Sequence, residues 1–133
     1  MFLAPESIEY AVLGGALLGG GGGGWPEEGR KWAQAAFAGS AKPQLISLDE
    51  LPPEAVVVTV SLVGSPAAKE RYCEPDDAVA AVELLAQRLG KRPAALITSE
   101  NGGAASVNGW FQSAVLGIPV VDAAANGRAH PLG

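Results

Sequence analysis

Six consecutive glycines, Gly19 to Gly24, separate two helix-like segments, and no other feature restricts the fold of this chain as strongly. Glycine loses more conformational entropy on folding than any other residue. An ordered run of it therefore needs a reason: a sharp turn, positive φ, or close backbone approach. Flexible linkers are also glycine-rich, but they are usually diluted with serine and join two domains. Only eighteen residues precede the run, too few for a domain. Trp25-Pro26-Glu27-Glu28 follows at once and reads as a helix start. Proline suits the first helical position, and two carboxylates suit the positive end of the helix dipole. A glycine loop entering a helix N-terminus offers unpaired N–H groups to an anion. Gly20, Gly21, Gly22, Gly23 and Gly24 are accordingly candidate ligand-binding residues, with a purely structural tight turn as the competing reading.

The segments on either side extend this picture. Ser7 to Leu18 fits a helix, with Ile8, Val12 and Leu17 expected to share a face, and Gly14 and Gly15 suggesting close packing against a neighbour. Pro26 to Ala38 reads as a second helix with Trp32, Ala35 and Ala36 on one side and Gly39 as its stop. Beyond residue 44 the pattern becomes strand, turn, helix, strand. Gln44–Leu48 is a short strand candidate, and Ala55–Val63 carries a β-branched run of the kind buried on both faces of a parallel sheet. Asp76–Leu89 is a helix with a stripe of Val79, Val82, Leu85, Ala86 and Leu89. Ala94–Ser99 and Ile118–Asp122 are further strands, and Ser106 is placed to cap a helix reaching Leu116. Helices between buried strands argue for right-handed crossovers. The expected class is α/β: a mostly parallel sheet of about four strands flanked by helices, doubly wound or a close variant.

Composition narrows the function classes. The 133 residues suit one domain that buries roughly two-thirds of its unfolded surface. A net charge of −5 with scattered Lys and Arg provides no basic stripe for nucleic acid. Cys73 is the only cysteine, which excludes an internal disulfide framework and fits a reducing, cytoplasmic setting. With one Cys and one His, a Cys/His zinc set is excluded. The apolar N-terminus lacks a basic leader region and is interrupted by Glu6 and Glu9, and no run is long enough for a membrane span.

Ligands of open parallel sheets sit at the carboxyl ends of the strands, so the residues just past each expected strand are the ones to inspect. These are Gly64-Ser65-Pro66 with Glu70-Arg71, then Glu100-Asn101-Gly102-Gly103, and finally Asp122 with Asn126-Gly127-Arg128-Ala129-His130. Glu100 and Asp122 are candidate acid/base groups. Glu70, Asn101, Gly102, Gly103 and Arg128 are candidate ligand contacts. Each also has an ordinary reading: Glu70 and Arg71 as a solvated pair, Glu100 as a turn residue, Asp122 as a cap, and Arg128 as a partner that pairs with Asp122 to hold the loop. Cys73 has no neighbouring His or Lys to activate it, and Trp110 and Phe111 read as core or interface. The glycine run is not a phosphate-binding Walker loop, since no Gly-Lys-Ser/Thr follows it.

In order along the chain these elements resemble the S-methyl thiohydantoin desulfurase-like family. Leu17-Leu18-Gly19-Gly20-Gly21-Gly22-Gly23-Gly24-Trp25-Pro26 resembles its L-G-T-G-G-G-G-D-P segment. Gly64-Ser65-Pro66 with Glu70-Arg71 is similar to G-x-P and E-K, and Glu100-Asn101-Gly102-Gly103 to E-x-G-G. Gly117-Ile118-Pro119-Val120-Val121-Asp122 is similar to G-x-P-V-V-D, and Gly127-Arg128-Ala129-His130-Pro131 to G-R-A-F-P. The resemblance implies that residues 1–133 correspond to the family's N-terminal α/β domain, without the β-rich second domain that usually follows. It also implies an association with hydantoin-type ring chemistry. Here Gly20 stands where the family favours Thr, Trp25 for Asp, Arg71 for Lys, Ala105 for Asn and Ala124 for a second Asp.

Three functions follow from these residues. The first is a small-molecule site for a hydantoin- or thiohydantoin-like or anionic ligand. The second is a hydrolase or desulfurase acting on a cyclic amide ring, with Glu100 and Asp122 as acid/base groups and the glycine loop as oxyanion cradle. The third is a non-catalytic module that self-associates or pairs with another chain. No cofactor is assigned; a divalent cation held by Glu70, Glu100 and Asp122 would suit hard-cation chemistry.

Overall fold

The computed structural model describes residues 1–64, 70 and 72–131. Ser65, Pro66 and Arg71, named among the motifs above, lie outside the described residues. The chain runs α1 (Ser7–Gly19), α2 (Pro26–Ala35), β1 (Leu45–Ile46), β2 (Val57–Val60), α3 (Pro75–Leu89), β3 (Ala95–Thr98), α4 (Trp110–Leu116) and β4 (Val120–Ala124). Short 3₁₀ turns occupy Leu48–Glu50 and Ala105–Val107. The strands form one parallel sheet in the order β1-β4-β3-β2. The α/β class and the four-stranded parallel sheet are as the sequence predicts.

The winding is a variant in which the two faces are covered unequally. Strand side chains alternate between faces. Val58, Val60, Leu96 and Val120 join Ile8 and Val12 of α1, Ala33 of α2, Val82 of α3 and Trp110 of α4 in the main core. The opposite face carries Ile46, Ala95 and Val121 with Val57, Ile97 and Ala123, and its cover is Leu51 from the β1–β2 connection. The path of the chain accounts for this. From β2 to β3 to β4 it steps back across the sheet through α3 and α4, whereas β1 to β2 crosses the whole sheet the other way. Crossovers of one hand that move in opposite directions lie on opposite faces. That connection contains Pro52-Pro53 and only a 3₁₀ turn, so it lays an irregular strap instead of a helix.

Several elements depart from expectation. Leu17 is exposed, not on the face of Ile8 and Val12, because nine residues from Ile8 is half a turn out of phase at 100° per residue. On α2 the buried positions are Gly29 and Ala33, not Ala35. On α3 only Val79 and Val82 are buried, while Leu85 and Leu89 are exposed. A helix of 15 residues is about 22 Å long against about 13 Å for a four-residue strand, so its C-terminal half overhangs the sheet. Ser106 does not cap α4. Residues 105–107 form a 3₁₀ turn, and α4 begins after Gly109, which has φ 90°. A Cβ at Gly109 would lie 3.1 Å from Val60 and 3.3 Å from Val120, so the chain must break its helix there to approach the sheet. The long strand is paired only over Val57–Val60, and β1 over two residues.

Candidate functional site

The glycine run closes against the turn that follows β3. Gly20 ends α1 in the left-handed conformation, and Gly21, Gly23 and Gly24 also have positive φ. The carbonyl of Gly23 accepts N–H groups from Ala104 at 2.9 Å and Ala105 at 2.8 Å. A Cβ on Gly23 would sit 2.6 Å from Gly102 Cα, and one on Gly102 would sit 2.5 Å from Gly23 Cα. On the far side, a Cβ on Gly22 would meet the backbone of His130 at 2.7 Å. Gly15 is likewise pressed on the same turn, with Gly102 O and Ser106 Oγ both 2.3 Å from a Cβ there. Two distant glycine motifs thus require each other: backbone meets backbone with no room for a methyl group.

The remaining turns knit onto this junction. Asn101 pairs with Arg128 as an isolated parallel bridge, Asn101 N–H donating to Gly127 O at 2.8 Å and Ala129 N–H to Asn101 O at 2.7 Å. Ser106 Oγ accepts from Gly102 N–H at 3.1 Å and donates to Asn101 Oδ1 at 3.4 Å. Thr98, buried at the end of β3, donates to Ala105 O at 2.6 Å. The hydroxyls of Thr98 and Ser106 therefore shape the loop after β3.

A groove of ≈ 480 Å³ opens between α1 and the C-terminal part of the sheet. Its lining is largely apolar, including Leu3, Ala11, Leu45 and Trp110, with Ser7, Tyr10, Thr98, Asn101 and Ser106 as polar side chains and Asp122 as its one charged side chain. Along β4 the side chains alternate: Val120 lies in the main core, Val121 and Ala123 pack on the opposite face, and Asp122 shares the face of Val120, exposed at the groove. The register also shifts here, since Leu96 pairs with Val120 and Thr98 with Ala124, so two steps along β3 oppose four along β4.

The expected residues are thus partly assembled. Asp122 and Asn101 share the groove. Glu100 is half-buried beside Asn101 but lies outside the lining; of the glycine run, Gly23 and Gly24 pack against the turn at Gly102–Ala104 and Gly22 against His130, while Gly20 and Gly21 have open space beside them. Arg128 is exposed, and among the described residues it makes no ion pair with Asp122. Glu70 is exposed and accepts from the Tyr72 hydroxyl at 2.7 Å, which holds the Tyr72 phenol above its usual pKa. Among the described residues no three His, Cys, Asp or Glu side chains stand close enough to hold a metal, so Glu70, Glu100 and Asp122 do not converge as a cation site. Burial, and then the charges of Asp77 and Glu74, raise the Cys73 thiol. Trp110 is buried in the core and Phe111 packs against it. Thr98 and Tyr10 of the groove were not singled out from sequence, and Ser106 was read only as a helix cap; the position of Thr98 at a strand's C-terminal end is the one signal for it.

Fold and groove together define an α/β domain with a groove at the C-terminal edge of a parallel sheet. The model of the S-Me-THD-like family's N-terminal domain matches residues 6–133, and the chain belongs to this family. A crystal structure of a protein from Chromobacterium violaceum is similar, with a TM-score of 0.79 and 28% identity, covering 93% of this chain and 35% of that one. The chain therefore spans about a third of the length of that relative. No curated protein matches the chain. No helix among the described residues is long and apolar enough to cross a membrane.

Proposed function

We propose that the groove between α1 and β4 is a small-molecule site for a neutral cyclic amide of the hydantoin or thiohydantoin type, in a cytoplasmic protein. The observation that carries this reading is Asp122: one unpaired carboxylate in a largely apolar groove with no cation in its lining. A carboxylate is an acceptor only, so it suits a ring N–H and disfavours an anion. The Asn101 side chain offers both donor and acceptor to the ring's carbonyl or thiocarbonyl edge. An apolar pocket of this size with a few directed polar groups is the usual form of a small-ligand site. Family membership supports the choice of ring chemistry. In a catalytic form of the same site, Asp122 acts as the general base for an attacking water, while Glu100, next to Asn101 in the chain, stands outside the lining.

Thermal melting with hydantoin, thiohydantoin and phosphate tests this reading. A ligand at about 100 times its Kd stabilises the folded state by about 2.7 kcal/mol. Hydantoin or thiohydantoin is expected to raise Tm, and Asp122→Asn to abolish the rise while leaving the unliganded Tm nearly unchanged, since the carboxylate has no partner to lose. A rise with phosphate alone, or one that survives Asp122→Asn, would move the site to the glycine loop and overturn the proposal. Ring opening or sulfide release by the wild type, lost in Asp122→Asn, would identify the catalytic form.

A further inference from the structure

Helix α1 is apolar around its whole circumference, with Glu9 as the one charged residue in it. Such a helix is normally buried on all sides. Ile8, Val12, Gly15 and Gly19 face the core, but Tyr10 is 80% exposed, Leu13 55%, Leu17 84% and Leu18 53%. At 100° per residue, Leu13, Leu17 and Tyr10 form one outer stripe, with Gly14 and Leu18 at its groove-side edge. A tyrosine and three leucines exposed to this degree present on the order of 500 Å² of apolar surface. That lies toward the upper end of the roughly 300–600 Å² of the largest apolar patch on a typical monomer, and it supplies more than half of the roughly 800 Å² each partner contributes to a standard interface.

Gly14 makes the stripe more specific. Its neighbour Gly15 is required by the Gly102 contact, but a Cβ on Gly14 would meet nothing within 4 Å. Gly14 also lacks positive φ, so nothing inside this chain calls for glycine there. A mid-helix glycine costs about 1 kcal/mol relative to alanine. A small residue flanked by large apolar ones is the notch that lets a second helix cross closely. Gly14 also lies near the middle of α1. A two-fold axis through it would lay Leu13, Leu17 and Tyr10 of each copy against those of the other, the self-complementary arrangement of an isologous interface.

We propose that this protein forms a two-fold dimer in which the α1 helices of two copies cross at Gly14. Because Tyr10, Gly14 and Leu18 also form the α1 wall of the groove, the second copy covers the groove's open side. The dimer does not depend on the ligand reading and is measured without ligand.

Light scattering coupled to size exclusion, run on the 133-residue chain at concentrations up to roughly 100 times a micromolar Kd, tests the proposal. The wild type is expected at twice 13.4 kDa. Leu17→Glu and Gly14→Leu are expected at the monomer mass, with native far-UV spectra and cooperative melting. Gly14→Leu is the sharper variant, since the space around it within the chain is open and leucine favours helix. A wild type at the monomer mass throughout, an assembly larger than two, or a dimer that persists in both variants would overturn the proposal.

Discussion

At the scale of single residues, charge contributes at identifiable places. Arg30 of α2 donates from Nε to Glu9 Oε1 at 2.7 Å and from Nη2 to Oε2 at 3.1 Å, a two-pronged link between α1 and α2. The Arg30 hydrogen bonds and positive charge hold the Glu9 carboxyl below its ordinary pKa. A carboxyl with a depressed folded-state pKa stabilises the fold above the ordinary carboxylate range, and that contribution is lost as pH falls through the lowered value. Glu9→Gln is therefore expected to melt below wild type at neutral pH and low salt, and to converge with it in acid or in high salt, because both groups are exposed enough to be screened. Equal differences at both pH values would show that the link is packing and not charge.

Asp122 shows what a single side chain conveys in isolation. Its place after a β-branched run at an expected strand end is legible in the sequence. Its freedom from Arg128 is not, because ion pairing depends on where two loops end up in space.

At the scale of elements, two adjacent glycines give opposite predictions. In a Leu17→Glu background, where the apolar stripe is interrupted, Gly14→Ala is expected to raise stability by about 0.5–1 kcal/mol through lower unfolded-state entropy. Gly15→Ala in the same background is expected to lower it by about 1–3 kcal/mol, because the new methyl would overlap Gly102 O and Ser106 Oγ. Urea unfolding of the two variants measures both; effects of the same sign would refute this packing account. The sequence predicts close packing from both glycines, but only Gly15 has it within the chain. Helical phase decides between them, and phase relative to the core depends on which face the sheet takes.

The same phase error misplaced Leu17, and the length mismatch between α3 and the strands left Leu85 and Leu89 uncovered. The existence of all four helices was readable, because capping, proline and apolar spacing are local signals.

At the scale of the molecule, the chain's route across the sheet makes a thick core on one face and a thin one on the other. Leu96 is wholly buried in the thick core, whereas Leu51 is a half-buried cover on the thin one. Leu96→Ala is expected to cost about 2–5 kcal/mol and Leu51→Ala less than about 2 kcal/mol, read from chemical denaturation. A Leu51→Ala cost equal to that of Leu96→Ala would mean that the strap holds the sheet more firmly than its packing indicates. Pro52-Pro53 keeps the connection over this face from forming a helix, a consequence not read from the sequence.

By itself, the sequence determined the class of fold and its family, since strands, helices and glycine turns are encoded by short-range periodicity and backbone preference. It also directed attention to the C-terminal strand ends, beside which the groove opens. Only the tertiary structure decided that the glycine run locks onto Gly102–Gly103, that Asp122 stands at the groove while Glu100 stays outside it, and that α1 keeps an apolar face to solvent. Those outcomes depend on contacts between residues as many as 108 positions apart along the chain, as Gly22 and His130 are. Close approach of backbones and strand register are properties of the packed whole, which no local pattern specifies.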